Sequence, residues 1–140
     1  MKFYIFSILL ASMTFIEASA TKEIVDGNQN QLHDIWILEV VNGEKIKVDE
    51  TTKSHPMIEI YVMEKRIHGN TSCNTINGNV EIEGNKINFY DIMTTEMACP
   101  GDLEQTFLSA LGKVNNYKIE KLKLHLYQDD CEIMIFQKID

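Results

Sequence analysis

The chain has 140 residues, 44% apolar and 24% charged, with 13 Lys and Arg against 21 Asp and Glu for a formal net charge of −8. That length holds one domain with one core, and the apolar share excludes a chain disordered by composition. The acidic balance argues against nucleic acid and against docking on anionic lipid, which both draw on clustered Lys and Arg. Three Cys are too few for a disulfide-dense miniprotein.

Residues 1–20 read as a signal peptide. Lys2 gives a positive start, Phe3 to Phe15 is apolar apart from Ser and Thr, and Ala18-Ser19-Ala20 fits a small-x-small cleavage site. The apolar run is shorter than the ~20 residues of a spanning helix, and Ser7, Ser12 and Thr14 follow no amphipathic period. Cleavage after Ala20 leaves no integral membrane segment in the expected mature chain. No Cys adjoins the cleavage site to carry a lipid. The expected product is exported, periplasmic or secreted, in a compartment where disulfides persist.

Residues 21–33, polar around Asp26-Gly27-Asn28, read as a flexible leader to one domain over 34–140. From Ile35 the pattern alternates: Trp36, Leu38 and Val40 share one face of a strand that is largely apolar on both sides. Asn42-Gly43 predicts a type I′ turn into a second strand, Glu44 to Val48. A polar connection, Asp49 to Pro56, leads to a strand over Met57 to Met63. Glu64-Lys65 turns it into Arg66 to Cys73. Asn77-Gly78 is read as the start of a strand over Asn79 to Glu83, and Gly84-Asn85 as the turn into Lys86 to Ile92.

Helical periodicity occurs once. After Pro100-Gly101, Asp102 and Gln105 have capping-box spacing, and Leu103, Phe107, Leu111 and Val114 form one apolar stripe. Gly112 weakens the helix end and Asn115-Asn116 is read as its stop. A strand carrying Leu122, Leu124 and Leu126 follows. The turn Gln128-Asp129-Asp130 then leads to Cys131 to Lys138, apolar on both faces and therefore central. About eight strands and one helix predict a mainly β (α+β) fold, a curled antiparallel sheet or partial β-barrel whose open face the single helix buries.

Chemistry is sparse. Cys73 and Cys99 lie 26 positions apart in loop-like contexts. A bridge between them would contribute ~3.5 kcal/mol by loop entropy. A Cys99 thiolate activated by the following helix N-terminus, or two unpaired buried thiols, are the alternatives. Cys131 is read as a buried strand residue. His33, His55, His68 and His125 are scattered without metal-ligand spacing, and Asp129-Asp130 is ordinary turn chemistry, so no metal or cofactor is expected. Glu59, Asp91 and Glu96 are acid/base candidates only as any carboxylate is, and no nucleophile with an orienting partner is legible. The chain is therefore read as not an enzyme. Met57, Met63, Met93, Met97 and Met134 read as core filler.

The segment Ile67-His68-Gly69-Asn70-Thr71-Ser72-Cys73-Asn74-Thr75-Ile76-Asn77-Gly78 resembles the "G…CN…G" signature of META domains, the family that includes the bacterial heat-shock protein HslJ. Met93-Thr94-Thr95-Glu96-Met97-Ala98-Cys99-Pro100 is similar to the second signature, "T-x-M-x-C". Their order and spacing, the helix after the second, and Trp36-x-Leu38 with Asn42-Gly43 extend the likeness over Asp34 to Lys138. The resemblance implies a small β-rich, partly barrel-like domain with one helix. It also implies an envelope or secreted location and a link to heat shock and novobiocin tolerance. Cys73, Asn74, Gly78, Thr95, Met97 and Cys99 occupy signature positions, read as architecture because the family offers no accepted catalytic residue. Ser72 replaces a frequent Gly, Glu96 stands where a basic residue is common, and the lipid-bearing Cys of many relatives is missing.

Two functions follow as expectations. The first is a non-catalytic exported protein, a monomer, that supports the envelope under stress through a protein partner. The second is a carrier of a small apolar ligand inside the curled sheet, lined by Trp36, Tyr61, Phe89 and Tyr117, with core packing as the other use of those four.

Overall fold

A computed structural model of the chain describes residues 27–50 and 52–139. The expected signal peptide, 1–20, and residues 21–26 of the expected leader lie outside the described residues. A one-turn helix, α1 (Gly27–Asn30), precedes β1 (Ile35–Val41), and the Asn42-Gly43 turn, with φ of 49° and 81°, leads to a two-residue β2 (Glu44–Lys45). These angles are those a type I′ turn requires. β3 (Met57–Tyr61) and β4 (Arg66–Asn70) form the next hairpin, with Lys65 at φ 54° in its turn.

β5 (Thr75–Glu83) and β6 (Lys86–Thr94) are the longest strands and join through Gly84 at φ 59°. Asn77-Gly78 is therefore interior to β5 and makes no turn. It sits at a bulge instead, where the register shifts between Asn77 and Asn79 and Asp91 on β6 takes φ 50°. A Cβ on Gly78 would lie 2.4 Å from Ile92 Cδ1, so any larger residue at the bulge would have to displace that side-chain end. Gly69 is more constrained, since its Cβ would lie 2.1 Å from the Met57 carbonyl oxygen on β3.

The single long helix, α2 (Leu103–Leu111), starts after Asp102 as expected, but Asp102 makes no side-chain cap. Its carbonyl accepts from the Thr106 N–H at 2.9 Å, while the first-turn carboxylate, Glu104, is turned to the loops described below. The helix ends at Leu111, before the expected Asn115-Asn116 stop, and Asn116 opens a ninth strand, β7 (Asn116–Glu120), that the sequence did not announce. Lys121 and Leu122 then form a turn with φ of 50° and 64°, which removes Leu122 from the strand face and leaves it half exposed. β8 (Lys123–Gln128) and β9 (Cys131–Lys138) complete the sheet.

Among the described residues the nine antiparallel strands run β2-β1-β3-β4-β5-β6-β7-β8-β9, and β1 also pairs with β9, from Trp36↔Lys138 to Val41↔Met134. The sheet thus curls back on itself. It is not a regular barrel, since β6 and β7 share one register pair, Lys86↔Asn116. β9, between β1 and β8, is central as its two apolar faces predicted.

The core is one cluster. Trp36, Leu38, Ile58, Ile60, Leu124 and Phe136 from the strands meet Phe107 and Leu111 from α2, all at 0% exposure. The Phe107 and Phe136 rings meet edge to face, 6.5 Å between centroids. Each such side chain contributes ~1.5–3 kcal/mol by leaving water. Leu32, within the segment read as leader, belongs to this core, and its carbonyl accepts a 3.0 Å bond from Trp36 Nε1.

Candidate functional site

The two signature segments meet where the β4–β5 connection, 71–74, faces the loop between β6 and α2. Thr71 and Asn74 close that connection: the Thr71 N–H donates to the Asn74 carbonyl at 2.8 Å, and the Asn74 N–H to Thr71 Oγ1 at 2.9 Å. Ser72 between them takes φ 80°, with its N–H donating to Asn70 Oδ1 at 3.0 Å. The turn presents Cys73 to Cys99, and the two form a disulfide with 5.9 Å between Cα atoms. Of the three cysteine alternatives, the bridge is therefore the one present.

Asn74, 2% exposed, is the hub. Its Oδ1 accepts from Thr95 Oγ1 and from the Met97 N–H, both at 2.8 Å. Its Nδ2 faces the Met97 carbonyl at 3.1 Å, Cys99 Sγ at 3.1 Å and the Glu104 carboxylate at 2.9 and 3.1 Å. Thr71 Oγ1 donates to the same carboxylate. One amide has two donors and two acceptor lone pairs, and here all are engaged. No buried side-chain N or O among the described residues lacks a partner. The arrangement fastens two loops to the first turn of α2, and both thiols are consumed in the bridge.

Of the signature residues, Cys73, Asn74, Thr95, Met97 and Cys99 are brought together, Met97 through its backbone while its side chain stays 63% exposed. Gly78 is not part of this cluster and belongs to the β5–β6 bulge. Thr71 and Glu104 were missed as members. The one sequence signal for Glu104 was a carboxylate in the first helical turn, which points as readily to the helix dipole.

Of the four residues expected around a ligand cavity, three share the core cluster and Tyr61 lies apart from it. Trp36, Phe89 and Tyr117 are in the core, because Phe107 and Leu111 of α2 fill the inside of the curl, and Tyr117 donates its hydroxyl to the Gly84 carbonyl at 3.0 Å. Tyr61 lies on the outer face of β3 and lines a groove there. Its hydrogen bond to Glu59, then slight desolvation and the Glu59 charge, raise its pKa above the ordinary 10.0. Tyr127 is raised too, first by partial burial and then by Glu132.

Cys131 is exposed rather than buried, because it opens β9 directly after the Asp129-Asp130 turn. The four His have separate partners: His33 the Tyr61 ring, His55 the Leu38 carbonyl, His68 Asn77, and His125 Glu132. Among the described residues no group of three or more His, Cys, Asp or Glu is placed to hold a metal ion. No helix among them is long and apolar enough to cross a membrane.

A curled antiparallel sheet, one packed helix, and two loop segments locked by a buried asparagine and a disulfide define a class of small β-rich domain. The META domain family matches residues 29–140, and the chain belongs to that family. No curated protein matches. Among solved structures, the chain is similar to a protein from Burkholderia xenovorans determined by NMR, at 18% identity and a TM-score of 0.61 over 99% of both chains. It is also similar to a DUF4847 family protein from Bacteroides vulgatus, at 16% identity and a TM-score of 0.56, covering 78% of this chain and 96% of that one. At these identities the likeness is one of fold.

Proposed function

We propose that this is a non-catalytic, exported META-domain protein that supports the cell envelope under stress by holding a protein partner. The observation that carries the reading is the use to which the signature residues are put. Cys73 and Cys99 are tied to each other, and every hydrogen-bonding position of Asn74 is occupied by Thr95, Met97, Cys99 and Glu104. Residues so engaged are suited to holding a surface in shape rather than to turning over a substrate. The signal-like residues 1–20 and the disulfide support export. The resemblance to HslJ supports the stress role.

The test is deletion of the gene in its own host, scored for survival after heat shock and on novobiocin. The deletion should lower survival, and the full chain should restore it. A version lacking residues 1–20 should fail to restore it, and chemical crosslinking in the envelope should retrieve a protein partner. Unchanged survival together with no crosslinked partner overturns the reading.

A further inference from the structure

The groove on the outer face of β3–β6 has a volume of about 780 Å³, within the range of small-molecule sites, and its walls carry an unusual charge arrangement. Arg66, the only arginine in the chain, stands on β4 with its guanidinium 5.0 Å from the centre of the Tyr61 ring. Stacking of this kind fixes the guanidinium plane while leaving its N–H fork open. Among the described residues Arg66 makes no ion pair. Arg66 is thus held by a ring rather than by an ion pair, although the Glu59 and Glu64 charges act on the same ring, and its N–H fork can take a carboxylate from the groove.

Across β5, on β6, Asp91 lines the same groove and also makes no ion pair among the described residues; its contact is a long 3.5 Å one from Asn79 Nδ2. The bulge at Gly78 sets it there, with φ 50° at Asp91. Two strand spacings, about 10 Å, separate β4 from β6. That spacing keeps Arg66 and Asp91 from needing each other and leaves room for a small molecule between them.

Between the charges lie His68 and Asn77, joined at 2.9 Å, and Asn79, which offer neutral donors and acceptors. Partly buried Ile92, and Met93 at 70% exposure, add apolar surface. A ligand that is only anionic would meet Asp91, and one that is only cationic would meet Arg66. β4 and β5 are paired on both sides, so no strand edge is open here for an extended chain to add to.

We infer that this groove binds a small amine–carboxylate zwitterion, its carboxylate on Arg66, its ammonium on Asp91, and an apolar side chain against Ile92 and Met93. A free amino acid and a dipeptide share that chemistry. The inference is independent of the stress reading above, since it concerns the opposite face of the sheet from the core.

The experiment is NMR titration of the 15N-labelled chain with leucine, glycyl-leucine, glycine, N-acetyl-leucine and leucinamide. Leucine or glycyl-leucine should shift groove resonances of β4–β6, and the tighter of the two identifies the source as a free amino acid or a peptide end. N-acetyl-leucine, lacking the ammonium, and leucinamide, lacking the carboxylate, should bind at least tenfold more weakly, and glycine more weakly than leucine. Arg66→Gln and Asp91→Asn should each reduce binding about tenfold or more. Asn tolerates the left-handed backbone at 91, so the amide spectrum of that variant should report an intact fold. Equal binding of the blocked compounds, unchanged binding by both variants, or no shift below about 10 mM of either zwitterion overturns the inference.

Discussion

A single amide decides much of this molecule. Asn74 joins Thr95, Met97 and Cys99 of the loop after β6 to Glu104 of α2, and it is almost fully buried. Truncating it leaves the Met97 backbone groups and the Glu104 carboxylate short of partners in a partly buried setting, where each unsatisfied group costs up to about 1–3 kcal/mol. Asn74→Ala should therefore lower unfolding stability by about 3 kcal/mol in urea titration; a loss below about 1 kcal/mol would show that water replaces the hub freely. Its neighbour makes the opposite prediction. Ser72 holds φ 80°, a backbone conformation that favours glycine. A left-handed non-glycine residue costs ~1–2 kcal/mol, and glycine gives back part of that through unfolded-chain entropy. Ser72→Gly should raise stability by about 0.5–1 kcal/mol in the same titration, since the N–H bond to Asn70 needs no side chain. At this scale the sequence made Asn74 and both cysteines conspicuous, whereas Glu104 was legible only as another helix carboxylate. Which acceptor an amide finds depends on tertiary approach, and no local pattern encodes it.

At the scale of elements, turns were legible where their chemistry was. Asn42-Gly43 and Gly84-Asn85 sit in turns whose positive φ those residues favour. The Lys121-Leu122 turn was illegible because neither residue prefers φ of 50° or 64°. It exists because β7 and β8 pair over five registers, from Asn116↔Tyr127 to Glu120↔Lys123, and the pairing stabilises the turn. Asn77-Gly78 failed in the other direction, a turn dipeptide used inside a strand at a bulge where glycine leaves room for the Ile92 side chain. The disulfide acts at this scale, tying the β4–β5 connection to the loop that leads into α2. Its loss should cost ~3.5 kcal/mol by loop entropy. In the Cys73→Ser, Cys99→Ser double variant, we expect that loss in a denaturant melt, along with faster amide exchange in the first turn of α2. Equal melting of oxidised and reduced protein would remove the bridge from any account of stability.

For the whole molecule, fold class was readable from alternation and one helical stripe, but closure was not. The β1–β9 ladder joins Trp36 to Lys138, a separation no short-range periodicity reports. The curl has a strong seam and a weak one: a full ladder at β1–β9, and one register pair at β6–β7 supported by the Tyr117 N–H to Asn85 bond at 2.9 Å. Local opening follows the weaker seam. Hydrogen exchange should release Ile87 and Tyr117 amides well before those of Trp36, Leu38 and Phe136; the reverse order would place the molecule's least stable region elsewhere.

The β1–β9 ladder also has a consequence in time. Trp36 and Leu38 enter the core from the first long strand, yet one side of that strand has no partner until β9, the last, is in place. Long-range pairing of this kind makes folding slow, because the loop between the partners must close before any contact rewards it. A chain built this way stays unfinished while it is being synthesised, and the curl closes only once β9 has paired with β1.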